Sequence, residues 1–144
     1  MRSLWPWTHL YMAFIMFLFS LVMPLAMIAS PSDYFIGPTQ IYAAILMASA
    51  MLMIEGTMHP MPKWAWFVTI VISIAAVIAI RFQYLVGTTG FLRDMIPHHS
   101  MAVLTSQAIE RKVPGIVRPE VQDLAKTILE TQKTEIEQMK LWIK

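Results

Sequence analysis

The chain has no cysteine. Disulfides, thiolate metal sites, iron–sulfur clusters and cysteine nucleophiles are excluded together. The absence carries no information about compartment, since a helical membrane protein needs no disulfide. Charge is the second scarcity. Only 14% of the residues are Asp, Glu, Lys or Arg, against about 25% in soluble domains. Fifteen of these twenty charges lie from Arg93 onward, and the first part holds only Arg2, Asp33, Glu55, Lys63 and Arg81. A net charge of +2 with no basic cluster gives no argument for nucleic acid. Also missing are a Glu-x-x-His pair, a second His cluster and a Ser–His–Asp set. The di-iron bundle pattern and the triad hydrolases therefore lack their residues, and the expected role is non-enzymatic.

What fills the space is apolar: 57% of the chain is hydrophobic. Three uncharged or nearly uncharged runs stand out, at about His9–Ala29, Pro38–Met58 and Trp64–Val86. Each has about 20 residues, the helical length that crosses a hydrocarbon core of about 30 Å. The connections Ser30-Pro31-Ser32-Asp33 and His59-Pro60-Met61-Pro62-Lys63 are rich in turn formers. Trp5, Trp7, Trp64 and Trp66 fall at run edges, where amphipathic rings favour the interface. The first run is too long for a signal peptide core and lacks a small-residue cleavage site before Pro31, so it is read as retained.

The expectation is an all-α integral membrane protein, with a transmembrane domain over 1–86 and a polar domain over 87–144. Arg2 and Lys63 against Asp33 place the amino terminus and the second loop in the cytoplasm. Three spans then put the polar domain on the outer side. Arg81 runs mildly against this orientation, although its side chain can snorkel.

Thirteen methionines are many for this length. Met is both a good apolar filler and a soft metal ligand. Met47, Met51, Glu55 and Met58 share one helical face, with His59 just beyond. That stripe reads either as a metal-handling surface or as packing beside a span-end carboxylate that finds water.

The polar domain opens on Phe91-Leu92-Arg93-Asp94-Met95-Ile96-Pro97-His98-His99-Ser100-Met101-Ala102. A carboxylate, two imidazoles and two thioethers in one stretch lean towards copper, Cu(I) above all. The spacing predicts a helix over about 89–112, a turn over Val113–Pro119 and a second helix from Pro119 to about Trp142. The short connection makes them an antiparallel hairpin. Counting outward from the turn brings Asp94–His99 level with Gln132, Glu135, Ile136 and Met139. Adjacent residues on a helix point about 100° apart, so His98 and His99 converge only if Pro97 re-aims them. The same polar residues also fit an ordinary solvated face.

At these residues the chain resembles the domain-of-unknown-function family 305. Asp94-Met95-Ile96-Pro97-His98-His99 matches its signature. The second helix matches in order and spacing through Leu124-Ala125-Lys126-Thr127-Ile128, Gln132, Glu135-Ile136, Met139 and Trp142. The resemblance covers about residues 88–144. It implies a ferritin-like helical fold and an association with copper binding or resistance outside the cytoplasm. That would be a bacterial inner-membrane protein with a periplasmic hairpin. Carried over residue by residue, it implies His98, His99, Met95, Met101 and Met139 as ligands, with Asp94 and Glu135 in support. Ser100 stands where Gln is common in the family.

One hairpin alone leaves apolar stripes without a covering layer, and so small a unit buries too little surface to offset chain entropy. A homo-oligomer forming a four-helix bundle is therefore expected, with contacts through Leu124, Ile128, Ile136 and Met139. The alternative function is a non-catalytic accessory subunit of a larger membrane complex, with the hairpin as its docking element.

Overall fold

The computed structural model of the protein describes residues 7–112 and 116–143. Arg2 and Trp5, used above for orientation and the interface, lie outside the described residues, as does the Val113-Pro114-Gly115 part of the turn. Among the described residues the chain is all-helical, with five α-helices: α1 (Trp7–Val22), α2 (Pro38–Met58), α3 (Lys63–Arg81), α4 (Thr88–Glu110) and α5 (Pro119–Ile143). Short 3-10 turns at Met23–Ala26 and Pro31–Asp33 lie between α1 and α2. Three helical segments, Trp7–Ala26, Pro38–Met58 and Lys63–Arg81, are long and apolar enough to cross a membrane.

The chain forms two compact units. The first comprises residues 1–23 and 38–86, the second 24–37 and 87–144. The division does not follow chain order, because the segment between α1 and α2 belongs with the polar hairpin. Pro24 explains where α1 stops. It has no N–H to continue the ladder, so the first helix ends short of the Ala29 expected from hydropathy.

In the membrane unit α2 packs against both α1 and α3. Its buried residues are small or polar: Ala13, Ala44, Ser49, Ala65, Thr69 and Ala76, with His9. Small residues let helix backbones approach closely, which is how helices associate where lipid tails are as apolar as leucine. At Gly56 the approach leaves no room for a side chain, since a Cβ would stand 2.8 Å from the Trp66 ring. Ser73 Oγ donates to Ser49 Oγ at 2.8 Å, tying α3 to α2. The large apolar side chains of α3, such as Ile74, Val77 and Ile78, face outward.

The third span ends at Arg81 rather than Val86. Gln83 takes φ 51°, while the Tyr84 N–H donates to the Ala79 carbonyl and the Gln83 N–H to the Ile80 carbonyl. This is the Schellman pattern, with Gln83 in the left-handed position that glycine usually fills. Its side-chain amide adds a bond to the Ile80 carbonyl at 2.7 Å.

The second unit is built the other way round. Leu92, Ile96 and Val103 of α4 meet Ile136 and Met139 of α5 in a conventional apolar core. Ala29 and Phe35 of the 24–37 segment pack on it, as do Met95, Leu129 and Ile143. The hairpin thus has a covering layer from its own chain. Ile136 and Met139, expected at a subunit contact, are buried inside this core, and Leu124 is exposed. The periodicity correctly grouped most of the α5 stripe but could not say which side chains α4 and the 24–37 segment would claim.

Candidate metal centre

Pro97 sits inside α4 without ending it. Lacking an N–H, it leaves the Arg93 carbonyl without its usual helical donor. Two residues on, the His99 ring turns back along the helix, and its Nδ1 lies 2.9 Å from the Met95 carbonyl. The other ring nitrogen, Nε2, lies 2.9 Å from Glu135 Oε2 on α5. Gln132 Nε2 donates to that same oxygen at 3.1 Å. Both nitrogens of His99 therefore face acceptors. A neutral imidazole donates from only one of them, whereas a protonated ring, or a cation held at Nε2, satisfies both.

On each helix a methionine lies one turn from a partner of this contact. Met95 and His99 are four residues apart on α4, and Glu135 and Met139 are four apart on α5, so each pair shares a face. Met139 is buried in the hairpin core and Met95 packs against that core. The two facing helices thus join one imidazole to one carboxylate and carry a thioether four residues from each. The donor set suits a soft or borderline ion.

The remaining expected ligands fall elsewhere. His98 is exposed, as the 100° step from His99 requires, and Pro97 does not bring it round. Met101 is half-buried, about 200° around the helix from His99. Asp94 is half-buried and lies against Gly37, where a Cβ would stand 2.9 Å from the Asp94 backbone nitrogen and collide with its carboxylate. Glycine is what lets the 24–37 segment approach α4 here. Among the described residues, no group of three His, Asp or Glu side chains stands ready-made to hold an ion.

A second polar cluster was not expected. Asp33, which entered the sequence argument only as a topology charge, is 5% exposed and fully engaged. Lys140 Nζ lies 2.6 Å from its Oδ1, and Ser100 Oγ donates to its Oδ2 at 2.6 Å. Ser100, itself fully buried, accepts the Ala29 N–H at 2.9 Å. Ser100 is thus the residue that receives the 24–37 segment. Burial works to lower the Lys140 pKa, but the hydrogen bond and charge of Asp33 and the charge of Glu137 outweigh it, and the ammonium is held above its ordinary value. The one sequence signal for this cluster was Ser100 itself. Its partners are 67 and 71 residues away.

In the membrane unit Met47 and Met58 are exposed, so the thioether stripe through Glu55 does not converge on a site. Glu55 is half-buried and faces His9 and His59 instead.

Residues 88–144, the α4–α5 hairpin, match the family model described as "Domain of unknown function (DUF305)". A curated relative, the "Uncharacterized protein L153" of Acanthamoeba polyphaga mimivirus, is 39% identical over 77 residues. The match covers 54% of this chain and 49% of that protein, so the chain spans about half the length of this relative. No solved structure matches the chain.

Proposed function

We propose that the hairpin is a metal-binding module, for copper first, held at the membrane by the three apolar helices. The observation that supports it most is the 2.9 Å contact of His99 on α4 with Glu135 on α5, with Met95 and Met139 one turn away along the same helices and packed in the core between them. Thioether and imidazole together favour Cu(I) over Zn(II). Bound there, copper would supply a soft cation at Nε2 in place of a proton, with Glu135 balancing its charge. His98, exposed beside this group, serves capture of the ion from solvent. The reading is binding, in homeostasis or resistance, without a reaction.

Orientation follows the positive-inside argument, with the amino terminus cytoplasmic and the hairpin outside, periplasmic in a bacterial inner membrane. Alkaline phosphatase fused after Lys144 is expected to be active, and an inactive fusion with a fluorescent cytoplasmic counterpart overturns the extracytoplasmic role. The copper test is a Cu(I) competition titration of the full chain in nanodiscs. His99→Ala is expected to weaken binding at least tenfold and His98→Ala less. Equal affinity in wild type and a His98→Ala/His99→Ala variant removes the proposal.

A second reading is favoured by one feature. Leu124, Leu141 and Trp142 of α5 are largely exposed, although α5 is not among the three apolar spans. A partner covering them would make the protein an accessory subunit of a larger membrane complex, or a homo-oligomer. Mass measurement in nanodiscs separates a monomer from either assembly.

A further inference from the structure

Glu55 lies one turn from the end of α2 in an apolar unit, and a carboxylate there is functional unless it is neutralised. What surrounds it comes from two helices and a loop. His9, on the first turns of α1, is buried, and its Nδ1 stands 3.4 Å from Glu55 Oε2. His59, just past α2, places Nε2 3.9 Å from the same oxygen. The two rings are tilted at 51° with centroids 6.0 Å apart.

Neither distance makes a good hydrogen bond. One is long and the other lies beyond the range. The first matches what two ligands of one ion show, and the second is wider. Bonds of about 2.0–2.1 Å at tetrahedral angles separate neighbouring donor atoms by roughly 3.3–3.5 Å. The His59 side chain is 61% exposed, so its ring turns freely to close the remaining gap. A cavity of about 280 Å³ reaches His9 and is also lined by Leu52, Met61, Trp64 and Thr69, while Glu55 and His59 lie outside its lining.

We propose that His9, Glu55 and His59 form a second metal site, inside the membrane unit, for a borderline divalent ion of the Zn(II) class; the three are not a ready-made group as they stand, and the site is completed only when His59 swings in. Two imidazole nitrogens and one carboxylate oxygen are the ligand set of three-ligand zinc sites with an open position. Met47 and Met58 are exposed, so those two thioethers do not add to the set. The ion organises the site on binding, drawing His59 in. It also compensates a carboxylate that the apolar helices would otherwise leave costly. The proposal is independent of the hairpin reading, because none of its residues lies in the hairpin.

The test uses the full chain in nanodiscs, with His98→Ala, His99→Ala and Glu135→Ala removing the hairpin donors. Co(II) is the probe, since tetrahedral coordination gives it intense visible bands. One equivalent is expected to bind with those bands and to be displaced by Zn(II). Glu55→Gln, which keeps the shape, and His59→Ala, at an exposed position, are each expected to weaken binding at least tenfold with helical content unchanged. Absence of a bound equivalent in the hairpin-deficient background, or unchanged affinity in Glu55→Gln, overturns the site. Cu(I) titration of Glu55→Gln with the hairpin intact reports on the hairpin reading alone, so failure of one is distinguishable from failure of the other.

Discussion

The two units of this chain solve the same packing problem with opposite residues. In the membrane unit alanine, serine and threonine are buried while isoleucine, valine and phenylalanine face out. In the hairpin unit leucine, isoleucine, valine and methionine are buried, and most charges face out, Asp33 being the buried exception. Solvent explains the inversion. In lipid, large apolar side chains would have no reason to hide, and close approach and hydrogen bonds such as Ser73–Ser49 would hold helices of this kind. Water drives the same side chains together in the hairpin, at about 25 cal/mol per Å² removed. The polar clusters differ as well. Asp33 in the hairpin unit is closed by short bonds to Lys140 and Ser100. Glu55 in the membrane unit stands at longer distances from two imidazoles.

The largest test of this contrast is Ile96→Ala, at a position with 0% exposure in the hairpin core. It is expected to destabilise the hairpin by about 2–5 kcal/mol. Ile74→Ala, on the outward face of α3, should cost under about 0.5 kcal/mol, as exposed substitutions do. Thermal unfolding followed by circular dichroism measures both, and equal losses would break the comparison.

Next comes Lys140→Ala. It leaves the buried Asp33 carboxylate without its cation, at a cost of roughly 3 kcal/mol. Faster hydrogen exchange at the Ala29 amide is expected to accompany it, because that amide reports the seating of the 24–37 segment on Ser100. A variant with unchanged exchange there would show that the segment is held by Ala29 and Phe35 packing alone.

Ala44→Leu probes the membrane unit from the inside. Ala44 is 0% exposed, and overpacking a close helix contact costs about 1–3 kcal/mol. The same enlargement at exposed Ala43 should be silent. Stability against a denaturing detergent, read by helix content, distinguishes them.

The smallest expected effect is alkaline. The folded Lys140 pKa is raised, so its contribution is fully present below the ordinary lysine value. It is lost as pH rises through the raised one. The hairpin melting temperature should fall more steeply above about pH 10.4 in wild type than in Lys140→Arg, whose guanidinium keeps its charge there. Parallel curves would detach the pair from the stability of the unit.

Much of this was legible in the residues themselves. Three apolar runs of about 20 residues can only be helices if they cross lipid, since every backbone group must be satisfied within the segment. Pro119 and the apolar stripe placed α5, and the counted register brought His99 level with Glu135. The sequence by itself therefore determined the helices, their number and the pairing of α4 with α5. These depend on local hydrogen bonding, on periodicity and on a short turn, all of which are near neighbours in the chain.

Tertiary structure decided the rest. It chose His99 over His98, because only one of two adjacent side chains can face α5. It moved residues 24–37 into the hairpin unit through Asp33, Ser100 and Lys140, of which Asp33 and Ser100 are 67 positions apart. It set His9 beside Glu55, 46 positions away. Contacts between distant residues leave no period in a single sequence, because their closeness is fixed by how helices pack and not by the order in which the residues occur.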